Sequence, residues 1–366
     1  MKIILDLDSY WVHDKNLSFY KERTDGSWLY YFIKLIEQSF YMEVVLAEEY
    51  LQKKEFSNQD VIISERYASN YAALLDTGAC PLIIFTGEPP NVDWKFYSCI
   101  YKYTKPYRHA FLFSGSQKYI SESVIFHPIH WPNDLNNRIC AENLPKEKLV
   151  MVAANKKQGP FVLANNKENL IRTVIMKICT NFIPSMKLVD LYPFRMKAIV
   201  HFSNKDYFQL YGRDWDKQHL LTKKERDALQ RINPTEVDNK HLTLAKYQFA
   251  LCFENCIYPG YVTEKIFDCF LAQCIPVYYG APDIDQHVPK NTFIDMRDFK
   301  NFKELEIFLE NISDQQISEY LHNINSYLKG EEFFKYTGPY FAKELFQIVH
   351  TCYLVNASSQ SDLTRV

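Results

Sequence analysis

The sequence predicts an α/β protein built from two Rossmann-like domains. Three observations lead there. Short apolar runs alternate with longer stretches whose apolar residues recur at helical spacing, the pattern of strands covered by helices. That alternation runs twice along the 366 residues. A polar stretch with two prolines, residues 132–147, separates the two series as a linker would.

Taken in order, Ile3–Leu7 reads as the first strand. Residues 28–40 read as a helix, with Leu29, Phe32, Ile33 and Ile36 on one face. Strands follow at 60–64 and 81–86 with a helix at 67–75 between them, and 94–131 is aromatic and irregular. After the linker, strands are expected at 149–153, 207–210, 249–253 and 275–279, with helices at 192–202 and 264–271. Helices at 302–311, 315–327 and 339–354 close the chain, and the polar tail from Ala357 is expected to fray. In such sheets ligands bind beyond the carboxyl ends of the strands, so chemistry is sought just after each one.

Composition removes several classes. Lys plus Arg is 42 and Asp plus Glu 44, a net charge of −2 that argues against a generally basic nucleic-acid binder. Hydrophobic residues at 47% argue against disorder over most of the chain. The nine cysteines form no CxxC pair, which points to buried free thiols in a reducing compartment and away from structural zinc. No GxGxxG or GxxxxGK[ST] occurs, against dehydrogenase and P-loop chemistry. No run approaches the ~20 apolar residues of a spanning helix, and the first is too short for a signal peptide. A cytoplasmic protein without a transmembrane segment is expected, a peripheral place at the inner face of a membrane staying open.

The densest signal is residues 247–299. A buried strand ends at Glu254-Asn255, a Pro259-Gly260 turn follows, and a helix begins near Thr263, a suitable N-cap. Lys265 lies in its first turn, where a cation opposes the helix dipole. Either it is a solvated lysine, or it meets a bound phosphate together with the free backbone N–H groups. Arg195 follows Pro193 in another first turn, where a guanidinium can grip a phosphate bidentately. In Phe85-Thr86-Gly87-Glu88-Pro89-Pro90 a carboxylate stands at a strand end on a loop stiffened by proline. Asp6-Leu7-Asp8 and Asp283-Ile284-Asp285 read as chance acidic pairs, and His127 with His130 does not read as a metal pair. Tyr10, Trp11, Trp94 and Trp131 are either core or sugar-stacking rings.

Phe253-Glu254-Asn255, followed by Gly260-Tyr261-Val262-Thr263-Glu264-Lys265, resembles the signature of glycosyltransferase family 10, the α1,3/4-fucosyltransferases. Ile275-Pro276-Val277-Tyr278-Tyr279-Gly280, Val288-Pro289 and Phe293-Ile294 continue the resemblance. Two departures are Cys256, where the family often has a small hydroxyl residue, and an insertion at 157–187 that contains a rival arginine, Arg172. Arg195 is preferred because Tyr211-Gly212-Arg213-Asp214-Trp215 follows it at the expected distance.

The resemblance implies a GT-B fold of two Rossmann-like domains facing a central cleft. It implies an acceptor-binding domain over 1–140, a GDP-sugar-binding domain over 146–335, and a C-terminal helix over 336–366 packing back on the first. It implies inverting transfer of L-fucose from GDP-fucose to an acceptor oligosaccharide hydroxyl, in α1,3 or α1,4 linkage. Glu88 is then the catalytic base, and Arg195, Asn255, Tyr261, Glu264 and Lys265 bind the donor. No cofactor is required and no metal requirement is expected. The alternatives are another GDP-linked deoxyhexose on the same fold and a glycan-binding pseudoenzyme.

Overall fold

The computed structural model describes residues 1–7, 27–39, 41–133, 146–155, 182–215 and 221–363. Most of the polar linker, Arg172, Tyr10, Trp11 and most of the 157–187 insertion lie outside the described residues. The chain divides into two compact units. The first takes Met1–Glu88, Lys95–Asn136 and Lys335–Val366, and the second takes Pro89–Trp94 and Asn137–Phe334.

The first unit holds six strands: β1 (Lys2–Asp6), β2 (Glu43–Leu46), β3 (Val61–Glu65), β4 (Cys80–Phe85), β5 (His109–Leu112) and β6 (Ile125–Pro128). They form one parallel sheet in the order β2-β1-β3-β4-β5-β6. Continuous apolar runs such as Ile3-Ile4-Leu5 and Leu82-Ile83-Ile84-Phe85 are buried, as strands covered on both faces must be. Pro81 has no N–H for the ladder, and the register of β4 against β3 shifts beside it, between Ile62 and Ile63. Helix α1 (Trp28–Glu37) buries Trp28, Leu29, Phe32, Ile33 and Ile36.

Four expectations fail here. Nothing in the sequence pattern marks strand β2 or helix α2 (Ala47–Lys53), because one runs into the other with no turn residue between them. The helix expected at 67–75 shrinks to α3 (Tyr71–Leu75), since the chain leaves β3 through Arg66 at φ 58, which no helix tolerates. The irregular stretch contains α4 (Trp94–Ser98), α5 (Ile100–Thr104), β5 and β6, all too short to show a period.

The second unit carries β7 (Glu147–Val152), β8 (Val189–Asp190), α6 (Tyr192–Phe202), β9 (Phe208–Tyr211), α7 (Lys223–Ile232), α8 (Lys240–Leu244), β10 (Tyr247–Phe253), β11 (Cys256–Ile257), α9 (Glu264–Leu271), β12 (Ile275–Tyr279) and β13 (Ile294–Asp295). Helices α10 (Phe302–Asn311), α11 (Asp314–Tyr327) and α12 (Glu331–Phe334) follow. Its parallel sheet has the order β13-β12-β10-β7-β9, so strand order reverses between β7 and β10. That switch point is where α/β sheets place ligands. Strands β8 and β11 pair antiparallel beside it.

Helix α13 (Gly338–Leu363) returns to the first unit and packs along α1. Its Phe341 meets Trp28, Phe85 and Phe111 edge-on at 5.4, 5.7 and 5.6 Å between ring centroids. The helix runs past Ala357, where fraying was expected, because no Gly or Pro stands between Tyr340 and Leu363 to stop it. Among the described residues no helix is long and apolar enough to cross a membrane.

Candidate active site

The carboxyl edge of the second sheet is built around a buried acid that the sequence reading passed over. β10 ends at Phe253, and Glu254 next to it is 0% exposed. Its Oε1 accepts from the Thr263 N–H and hydroxyl, both at 2.9 Å, and its Oε2 lies 3.0 Å from Lys265 Nζ. Gly280 is required by this acid, since a Cβ there would fall 2.5 Å from Glu254 Cγ. A buried carboxylate persists only when it is paired and hydrogen-bonded, and Thr263 with Lys265 supplies both.

Two expectations change accordingly. Thr263 stands at the N-cap of α9, but its hydroxyl makes no cap bond and turns to Glu254. Lys265 is not a solvated lysine: its ammonium reaches Glu254, the Thr263 hydroxyl at 2.8 Å and Glu264 at 3.5 Å. Burial pulls this ammonium down, yet Glu254 and Glu264 outweigh it and hold the lysine above its ordinary value. Burial likewise pushes Glu264 up, but Lys265 and Lys240 outweigh it and bring its carboxyl from the ordinary 4.5 to about 2.

Glu264 is thus ionised at any working pH, an acceptor only, and its stabilising contribution has a definite sign. A folded-state value below the unfolded one gives stability that is complete above about 4.5 and is lost as pH falls toward about 2. The thermal midpoint of Glu264→Gln should therefore fall less steeply than wild type between pH 5 and pH 2. Parallel slopes would show that the carboxylate is not held this way.

The second cation is Arg195. The Tyr192 N–H donates to Asp190 Oδ1 at 3.0 Å, starting α6, and Arg195 lies one turn on, 8% exposed. Its Nη2 donates to the Phe253 carbonyl at 2.6 Å and to Asn255 Oδ1 at 3.0 Å, while the Tyr192 ring lies 5.0 Å from the guanidinium. Asn255 Nδ2 donates in turn to the Tyr261 hydroxyl at 2.9 Å. The Asn255 carbonyl accepts from the Leu191 N–H at 3.0 Å and from Asn91 Nδ2 at 3.4 Å. Gly260 in the preceding turn donates its N–H to Asp283 Oδ1 at 2.9 Å, so Asp283 braces the loop. Nε and Nη1 of Arg195 make no hydrogen bond among the described residues. The side chain borders a cavity of about 20 Å³ at the end of β7, with Ala153, Ala154, Asn155 and Trp215. All five expected donor-binding residues therefore belong to the second unit, with Arg195, Asn255 and Tyr261 in one hydrogen-bonded chain and Glu264 and Lys265 in another.

Glu88 is placed in the first unit, three residues beyond β4 and partly exposed. Its N–H donates to Thr86 Oγ1 at 3.1 Å and its carbonyl accepts from the Tyr97 hydroxyl at 2.9 Å. Asp6, set aside in the sequence, ends β1 at 2% exposure and accepts from Asn70 Nδ2 at 3.2 Å; burial lifts its carboxyl to about 6. His127 Nε2 lies 3.0 Å from His109 Nδ1, and His130 stands edge-on to Tyr336. Among the described residues no group of three or more His, Cys, Asp or Glu could hold a metal ion.

The stretch that carries Arg195, Asn255 and Lys265 is also the one with a counterpart among known families. Residues 193–365 match the family described as glycosyltransferase family 10 (fucosyltransferase), C-terminal. Over that stretch the chain is similar to glycosyltransferase family 10. The chain is 40% identical over 90 residues to the α-(1,3)-fucosyltransferase FucT of Helicobacter pylori, covering 21% of this chain and 19% of that protein. It is 34% identical over 109 residues to the GDP-fucose protein O-fucosyltransferase 3 of Xenopus tropicalis, covering 29% and 23%. The matches thus span about a fifth of these curated relatives. A crystal structure of an α1,3-fucosyltransferase with GDP superposes with a TM-score of 0.53 at 18% identity, covering 96% of this chain and 90% of that one. That likeness establishes the fold, the GT-B type with its two Rossmann-like units. The matched stretch contains both the Glu254–Thr263–Lys265 and the Arg195–Asn255–Tyr261 chains.

Proposed function

We propose that the protein is an inverting fucosyltransferase that moves L-fucose from GDP-fucose to a hydroxyl of an acceptor oligosaccharide, in α1,3 or α1,4 linkage. The observation that carries the reading is Arg195. Its Nη2 is fixed by two protein acceptors, while Nε and Nη1, which make no hydrogen bond among the described residues, would face a diphosphate at the β7/β10 switch point.

In this reading the acceptor oxygen attacks the anomeric carbon as the bond from that carbon to the GDP β-phosphate oxygen breaks on the opposite face. Glu88 takes the acceptor proton, because a sugar hydroxyl is a weak nucleophile. The charge that develops on the leaving diphosphate meets Arg195, Lys265 and the first-turn N–H groups of α9. Glu264, ionised throughout, accepts hydrogen bonds from fucose hydroxyls, and Asn255 and Tyr261 keep Arg195 in place. Glu254 holds Lys265 at the edge of the donor site. The names of the similar proteins, an α-(1,3)-fucosyltransferase and a GDP-fucose protein O-fucosyltransferase, support the donor.

The test is a glycan acceptor array, with serine- and threonine-bearing peptides included, developed with GDP-fucose and read by mass and by GDP release. The expected result is addition of one deoxyhexose to glycans with GDP released in equal amount. Glycan binding without GDP release would make the protein a lectin, and turnover only with another GDP-deoxyhexose would change the donor. Transfer to peptides alone would change the acceptor class.

A further inference from the structure

The residue before Glu88 is held in an unusual way. A Cβ added to Gly87 would fall 1.3 Å from Trp131 Cζ3 and 2.1 Å from Cε3, so the indole occupies the place where any side chain would begin. Trp131 lies beyond β6, and the sheet carries it past the end of β5 to the end of β4. The Ile129 N–H bonds the Leu112 carbonyl at 2.9 Å, and the Trp131 carbonyl accepts from Asn133 Nδ2 at 3.0 Å. Asn133 Nδ2 also donates to the Tyr336 carbonyl at 3.0 Å, so the indole's backbone is tied on both sides. Trp131 as a whole residue is partly exposed. Glu88, directly after Gly87, has its own N–H and carbonyl bonded, to Thr86 and Tyr97.

A rigid, partly exposed tryptophan beside a carboxylate on a strand-end loop suits one class of ligand. Sugar hydroxyls are well solvated in water, so polar contacts alone orient a saccharide weakly. The C–H face of a pyranose gains by covering an indole, and the broad flat ring sets the sugar's plane. A sugar plane fixed next to a base turns its hydroxyl toward that base.

We propose that Trp131 is the platform on which the apolar face of an acceptor sugar stacks beside Glu88. The proposal deepens the fucosyltransferase reading and rests on it for the role of Glu88. Trp131 acts on binding of the acceptor, and the donor clamp of the second unit does not depend on it.

Saturation-transfer NMR with N-acetyllactosamine, without donor, tests the platform in wild type, Trp131→Ala and Trp131→Phe. GDP affinity and thermal midpoint serve as controls. Trp131→Ala should weaken the disaccharide about ten-fold, and Trp131→Phe, which keeps a ring face, should recover most of that loss. GDP affinity should not change in either variant. Absence of disaccharide binding by wild type, an affinity of Trp131→Ala within two-fold of wild type, or no recovery in Trp131→Phe would overturn the proposal. A parallel loss of GDP affinity would do the same, since it would make Trp131 a general structural residue. If wild type binds the disaccharide through Trp131 but releases no GDP from GDP-fucose, the platform stands and the fucosyltransferase reading falls. If wild type transfers fucose and Trp131→Ala binds normally, only the platform falls.

Discussion

Fucosyl transfer by Glu88→Gln should be at least ~10²-fold slower than wild type, the low end of what a positioned base contributes. GDP affinity and thermal midpoint should be unchanged. Glutamine fills nearly the same space and leaves the backbone bonds of Glu88 to Thr86 and Tyr97 in place, so lost packing cannot account for the fall. All five expected donor-binding residues belong to the second unit and Glu88 to the first, which is why the two readouts should separate. A rate within a few-fold of wild type would move the base elsewhere. Three acids would then be tried, Glu65 and Asp6 at strand ends of the first unit and Asp93 of the second, each at most 5% exposed.

The Arg195→Ala variant should bind GDP about 10- to 100-fold more weakly, the range expected for one lost charge-assisted phosphate contact. It should also lose stability by about 1–3 kcal/mol, because the Phe253 carbonyl and Asn255 Oδ1 lose their shared donor. Lysine should not rescue either effect, since one ammonium cannot reproduce a planar fork that bonds two protein acceptors and a phosphate together. Calorimetry with GDP and denaturant titration measure the two effects separately. If Arg172→Ala abolishes GDP binding while Arg195→Ala leaves it within two-fold, the donor arginine has been misplaced.

The fold was legible where strands are long and buried on both faces. The runs at 3–5, 81–85, 249–253 and 275–279 carry no charged or hydroxyl side chain other than tyrosine. It was illegible where an element is too short to show a period, as at β2, β5 and β6, or where strand passes straight into helix, as at Leu46-Ala47. The site divides differently. The residues that carry charge stood out singly, and Lys265 was conspicuous because it opposes the dipole of its own helix. Their partners did not. Glu254 sits eleven residues before Lys265, across a turn, and Tyr192 lies beneath Arg195 only because both share a helical turn. The misfit of Lys265 was the available signal for a buried acid nearby, but it fitted a phosphate equally well.

Helix α13 has a consequence for how the protein is made. The ribosome completes the second unit, which ends at Phe334, before it reaches the last segment of the first. Until Phe341 emerges, the rings of Trp28, Phe85 and Phe111 lack the partner that covers them. The half of the protein translated first is therefore finished last, the reverse of the usual vectorial order. Through most of synthesis a greasy six-stranded sheet waits for its final helix, so chaperone demand should concentrate on the amino-terminal half of the nascent chain.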